Sequence, residues 1–215
     1  MTTRVMFISP AISTALRAAR FGEGAGDQDE LDAVGLRQAE AVRETFPRAA
    51  ALYVSPSRRC LRTAEVLGLD AEPLPGLAPC AMGRWQGRTL DEVAAAEPQA
   101  VAAWLSDPAS SPHGGESLLA LHTRVGHWLD TLTVEGPEGA DRADGADRKA
   151  PDDSRGRVIA VAEPDLIRAA VVHSLGAAPQ AFWRIDVRPL TVTELSGRDG
   201  RWNLLSGRPL HSVAP

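Results

Sequence analysis

The residues that could do chemistry are few and scattered. Glu163, Pro164 and Asp165 follow directly on the apolar run RVIAVA at Arg157–Ala162. Proline suits the first turn of a helix, and a helix N-terminus is normally an anion site. Here two carboxylates stand in that place. Glu163 could act as a general base if its surroundings raise its pKa, or it could be half of a structural ion pair. Ser9 closes the run RVMFIS. It is a nucleophile only with a base beside it, and no histidine lies near it in sequence. His113 and Glu116 flank Gly114-Gly115. His122 and His127 are five residues apart, roughly 140° around a helix, whereas a shared metal wants a spacing of three or four. Cys60, Cys80, His113 and Glu163 are of ligand type, but nothing in their spacing brings them together. No metal and no cofactor is expected. The five tryptophans read as packing residues.

Three short β-rich runs must position these groups: Arg4–Ser9, Ala51–Val54 and Arg157–Ala162. Each is followed by a loop and a helical pattern. The helices read as Leu31–Phe46, Arg59–Leu67, Thr89–Ala95, Gln99–Leu105, Glu116–Leu132 and Asp165–Leu175. Leu190–Ser196 and Arg201–Ser206 flank Gly197-Arg198-Asp199-Gly200, a hairpin signal. Alternating apolar runs and helices predict an α/β fold, a three-layer α/β/α sandwich with a mainly parallel sheet. The chain is read as one domain over residues 1–215. Residues 135–156, rich in Gly, Asp and Arg and repeating GADRADGADR, read as a flexible low-complexity insertion within it. The cleft is expected at the carboxyl ends of the strands, where Ser9, Ser55 and Glu163 emerge.

Composition narrows the function. The 215 residues are 44% hydrophobic, enough for a sizeable core, and carry a net charge of −5. That balance offers no basic field for nucleic acid or an anionic membrane. No apolar run approaches the ~20 residues that span a bilayer, and the N-terminus lacks a signal-peptide pattern. Two cysteines do not make a disulfide scaffold. A cytoplasmic protein is expected. The C-terminal hairpin offers an edge through which two copies could pair as a homodimer.

Five stretches, in order, resemble the histidine phosphatase superfamily, the phosphoglycerate-mutase-like fold. LDAVGLRQAEAV (Leu31–Val42) resembles "LTxxGxxQAxxL", and VSPSRRCLRTA (Val54–Ala64) resembles "SSPLxRAxQTA". MGRWQG (Met82–Gly87) resembles "FGxWEG", PHGGES (Pro112–Ser117) resembles "PxGES", and VIAVAEPDLIR (Val158–Arg168) resembles "VLVVSHGGVIR". The resemblance implies a phosphate pocket in which Arg59 is retained, with Ser9, Arg84, His113, Glu116 and Glu163 as its other candidate lining residues. The departures are specific. The family's Arg-His-Gly, which carries the nucleophile, falls on Ser9-Pro10-Ala11. Its second pocket histidine falls on Glu163, its acid on or near Pro79, and an Asn that often follows the first motif on Leu16.

Phosphoryl transfer to histidine needs a nucleophile, cations for the phosphoryl oxygens and an acid for the leaving group. On these substitutions the expected function is non-catalytic. The chain would be a degenerate family member, a pseudoenzyme binding a small ligand or a protein partner, with Glu163 paired to Arg59 in a self-occupied anion site. A tight pair would weigh toward that reading. A buried Glu163 without a cation would weigh toward the alternative, a divergent phosphatase, other hydrolase or isomerase. That enzyme would use Arg59, Glu163 or His113 and, by family analogy, be linked to cobalamin or sugar-phosphate metabolism.

Overall fold

The computed structural model describes residues 2–22, 30–132, 156–198 and 200–206. Six strands form one sheet in the order β3-β2-β4-β1-β5-β6. They are β1 (Thr3–Ile8), β2 (Ala51–Val54), β3 (Glu72–Pro73), β4 (Arg157–Val161), β5 (Val192–Arg198) and β6 (Arg201–Leu205). β1, β2, β3 and β4 run parallel, while β5 and β6 form an antiparallel hairpin added to the β1 side. In the central pair, Val5 lies opposite Val158 and Phe7 opposite Ala160.

Both faces of the central strands are apolar because both are covered. Val5, Phe7, Val158 and Ala160 point to one face, packed by α6 (Leu118–Thr131) and α7 (Pro164–Ser174). Met6, Ile8, Ile159 and Val161 point to the other, against Cys60, Ala64 and Leu67 of α3 (Arg58–Leu67) and Ala39 of α2 (Ala33–Ala41). This is the three-layer α/β/α sandwich expected from the runs and periods. A short helix α1 (Thr14–Arg17) follows β1, and α4 (Leu90–Ala96) and α5 (Pro98–Ser106) lie beside a separate small cluster of Met82, Trp85 and Val93.

The local chemistry explains where helices stop and start. Ser57, Thr89 and Ser117 each cap a helix, accepting from Cys60, Glu92 and Ala120 N–H. Thr89 and Glu92 complete a capping box. The helix expected over Leu31–Phe46 is shorter in fact, Ala33–Ala41. Leu31 instead bridges to Ser13 as extended chain, Asp32 becomes the N-cap, and Glu44 takes a positive φ. β3, only two residues long, had no periodicity by which to read it. Gly35 is needed for packing, since a Cβ there would lie 2.3 Å from the Ile12 carbonyl oxygen. The insertion expected at 135–156 lies outside the described residues apart from Gly156, which leads into β4.

Candidate active site

The parallel strands deliver Glu163 to the carboxyl edge of the sheet, and the loop after β2 and the first turn of α3 bring Ser57 and Arg59 there. Glu163 is the N-cap residue of α7 but does not cap it with its side chain. Its carboxylate turns instead to α3. Arg59 grips it with two nitrogens, Nη2 on Oε2 and Nε on Oε1 at 3.3 Å. Ser57 Oγ donates to Oε1 at 2.7 Å, and the Cys60 thiol lies 3.5 Å from the same atom. Both charged side chains are buried, at 9% exposure for Arg59 and 8% for Glu163. The expected Arg59–Glu163 pair is therefore formed. α3 holds its own half: the Thr63 hydroxyl donates to the Arg59 carbonyl and accepts from Ala11 N–H, fixing the chain just after β1.

Asp165 stands two residues on. Its Oδ2 accepts from Cys80 N–H at 2.7 Å and its Oδ1 from Leu166 N–H at 2.8 Å. It is ringed by protein yet keeps part of its surface open to the cleft. Burial first, and then the Glu163 carboxylate, push its pKa above the usual carboxylate value. Cys80 is half-buried, and burial with the Asp165 and Glu116 carboxylates pushes its thiol up to about 12. Burial and Glu163 likewise raise Cys60.

Ser57, Arg59, Cys80, Glu163 and Asp165 line a cleft of about 280 Å³. Its polar wall includes Arg59, Glu163, Asp165 and Ser57, and two further arginines, Arg20 and Arg168, stand around it. The rest is largely apolar, with Leu16, Phe21, Trp104, Leu121, Phe182 and Trp183. It suits a small molecule with an anionic end and an apolar or ring-like body.

Of the six residues singled out in the sequence, only Arg59 and Glu163 line this cleft. Ser9 is corrected: its hydroxyl donates to the Arg188 carbonyl and accepts from Thr191 N–H at 2.9 Å. It ties the end of β1 to the start of β5, and among the described residues none of its hydrogen-bond partners is a base. Arg84 is exposed, bonded to the Pro112 carbonyl and, at 2.5 Å, to Glu97. His113 is buried against Trp85, ring centroids 5.1 Å apart, and its Nδ1 accepts from Gly115 N–H. Burial and Arg84 lower its pKa, so it stays neutral near pH 7. Glu116 makes a two-toothed pair with Arg124, at 2.9 and 2.7 Å. Arg124 also holds the Gly76 and Ala78 carbonyls, so this pair braces the loop that ends at Pro79 and Cys80 in the cleft wall. These four side chains build the loops around the site and do not enter it. Missing from those six were Asp165, Arg168 and Arg20. The signal for the first two was their spacing: on α7, Asp165 and Arg168 are three residues apart and share a face. Nothing in the sequence placed Arg20. Among the described residues no group of three or more potential metal ligands converges. No helix among them is long and apolar enough to cross a membrane.

Comparison with known proteins sets this site in a family. A model of the histidine phosphatase superfamily (branch 1) matches residues 14–208. The glucosyl-3-phosphoglycerate phosphatase of Mycobacterium tuberculosis (strain CDC 1551 / Oshkosh) is 31% identical over 176 residues, covering 78% of this chain and 74% of the relative. The protein of the same name from Mycolicibacterium vanbaalenii is 30% identical over 202 residues, covering 85% and 89%. The structure of a mycobacterial glucosyl-3-phosphoglycerate phosphatase complexed with VO3 superimposes with a TM-score of 0.74 at 26% identity, covering 94% of this chain and 96% of that one. The non-catalytic reading expected from the sequence is overturned here, because the relatives that the chain matches over most of its length are named as phosphatases. The tight Arg59–Glu163 pair agrees with that reading; the names of the relatives, not the geometry of the pair, overturn it. The chain belongs to the histidine phosphatase superfamily, branch 1.

Proposed function

We propose that this protein is a divergent phosphatase that hydrolyses a phosphorylated small molecule by direct attack of water. The observation that carries the reading is the pair of cleft carboxylates in different environments. Glu163 is held by Arg59 and Ser57, while Asp165 is pushed above the ordinary carboxylate range. A carboxyl whose surroundings favour its protonated form, standing beside a second carboxylate, is an arrangement suited to an acid and a base. The names of the relatives support a sugar-linked phosphoester as the substrate class.

The chemistry balances without a histidine. Arg59, whose Nε and Nη2 hold Glu163, lends its positive charge to the phosphoryl oxygens and so stabilises the negative charge that builds there. Glu163 takes a proton from water as the water oxygen bonds to phosphorus. The ester P–O bond breaks, and Asp165 gives its proton to the leaving oxygen. Inorganic phosphate and an alcohol are the products, and exchange with solvent restores both carboxyls. Asp165 binds the N–H of Cys80, the neighbour of Pro79. It thereby supplies from α7 the acid whose family position falls on Pro79.

The test is phosphate release from glucosyl-3-phosphoglycerate and a panel of phosphomonoesters, with pH profiles. Glu163→Gln and Asp165→Asn are each expected to lower kcat/KM by about 10²–10⁴-fold. Activity should fall as pH rises through the pKa of Asp165, and Asp165→Asn should lose that alkaline limb. Failure to release phosphate from any ester across the pH range, or activity untouched in both variants, would overturn the proposal.

A further inference from the structure

The tryptophans of this chain are not all in the same state. Trp85 and Trp202 are buried packing residues, while Trp104 and Trp183 are only half-buried and line the cleft. Trp104 comes from α5 and Trp183 from the 3₁₀ turn Pro179–Arg184 that follows α7. A third half-buried ring, Phe21, comes from the chain after α1. These segments are far apart in sequence, yet their rings form one connected wall. Trp104 stands edge-to-face with Trp183, centroids 4.7 Å apart, and with Phe21 at 5.6 Å. Buried Trp85 and Phe182 back the two ends of the row, at 5.5 Å from Phe21 and 5.0 Å from Trp183. Such contacts fix the ring orientations before a ligand arrives, so little side-chain freedom is lost on binding. Hydrogen-bonding groups for a sugar are scarce. Ser57 is the only hydroxyl- or amide-bearing side chain among the described lining residues, and it donates to Glu163. Arg59, Asp165 and Arg20 also have protein partners of their own. A polyhydroxylated alcohol against this wall would leave hydroxyls unpaired, at a cost. An aromatic ring leaves none and gains ring-on-ring contacts.

We propose that Phe21, Trp104 and Trp183 form a stacking platform for an aromatic ring carried by the substrate's alcohol. The cleft thereby selects aryl-bearing phosphoesters over polyhydroxylated ones. The phosphoester half of this statement rests on the function proposed above, while the aromatic half rests on the walls of the cleft alone. It gives the substrate a ring that the relatives' names do not carry.

The experiment uses three esters of primary alcohols, each with a six-membered ring one carbon from the ester oxygen: benzyl phosphate, cyclohexylmethyl phosphate and glucose 6-phosphate. Turnover is read by phosphate release. Binding is read by titration calorimetry with 2-phenylethylphosphonate and 2-cyclohexylethylphosphonate, which keep the ring and its spacing but have no ester bond to break. Stacking predicts that the phenyl ring is favoured over cyclohexyl by about 3–10-fold in both readouts. Benzyl phosphate should exceed glucose 6-phosphate by about 100-fold in kcat/KM. Trp104→Leu and, separately, Trp183→Leu keep an apolar wall and lose a ring. Each should about halve the phenyl-to-cyclohexyl ratio, and the two together should bring it to about 1. The two residues lie on different segments, so a folding defect in one variant leaves the other to decide. Equal affinity for the two phosphonates, a phenyl preference untouched in both variants, binding of neither phosphonate, or faster turnover of glucose 6-phosphate than of benzyl phosphate would overturn the inference. A phenyl preference that falls in the variants, with no phosphate released from any ester, would uphold the platform and count against the proposed hydrolysis. Phosphate release from all three esters at equal kcat/KM would do the reverse.

Discussion

Removing Arg59 should destabilise the protein in a pH-dependent way that removing Glu163 does not. Both side chains are about one-tenth exposed, so solvent screens the pair little. Charge centres about 4 Å apart attract with about 4 kcal/mol at an effective dielectric near 20. Arg59→Met deletes that attraction and leaves Glu163 in a buried pocket with only the Ser57 and Cys60 contacts. The expected cost at pH 7 is about 3–5 kcal/mol, typical for breaking one half of a buried pair. The stranded carboxyl then has a folded-state pKa above its unfolded one. Its folded form binds more protons, so stability falls as pH rises through that pKa and returns as pH drops toward the unfolded value near 4.3. Glu163→Gln strands Arg59 instead. A guanidinium cannot shed its charge, so acid gives no such recovery. The double variant Arg59→Met with Glu163→Gln should regain most of the loss. Urea unfolding of all four proteins at pH 5 and pH 7 measures this. A single-variant cost below about 1 kcal/mol, or a double-variant cost equal to the sum of the singles, would refute the account of a coupled buried pair.

Three further outcomes follow from the packing. Gly126→Ala places a Cβ 2.6 Å from the Nδ1 of His173, where α6 and α7 meet; a loss of about 1–3 kcal/mol is expected, and an unchanged Tm would show that the helices part freely. His113 and His122 have pKa values lowered by burial, with Arg84 and His173 adding to it. Their unfolded forms bind protons first, so stability is full above about pH 6.5 and declines below it; an unfolding free energy flat from pH 7 to pH 5 would contradict this. Cys60 and Cys80 are free thiols with raised pKa values, about 12 for Cys80. At pH 8 the native protein should react with a thiol reagent roughly a thousandfold slower than the urea-unfolded chain, and comparable rates would show the cleft wall opening.

Much of the fold was legible because burial on both faces of a parallel sheet demands short continuous apolar runs, and RVMFIS, ALYV and RVIAVA are such runs. The hairpin at β5 and β6 was equally plain from its Gly-flanked turn. β3 was not, since two residues carry no period. The family was legible from five motifs in order, and the Arg59–Glu163 pair from what stands at two of them.

The lining of the cleft was another matter. Motif position says which loop a residue belongs to, but the direction of its side chain depends on what the loop packs against. Arg84 and His113 sit in loops beside the cleft, yet Arg84 turns outward to Glu97 and His113 inward to Trp85. Ser9 ends the right strand and spends its hydroxyl on the chain before β5, 182 residues further on at Thr191. Asp165 and Arg168 became site residues because α7 turns that face to the cleft, beside Cys80 and Phe182 from distant segments. Sequence alone determined the order of the elements and which chemical groups lie at the carboxyl edge of the sheet. Only the tertiary structure decided which of them are paired, which are buried and which face the cleft. Those states depend on distances between segments far apart in the chain, and local patterning carries no record of them.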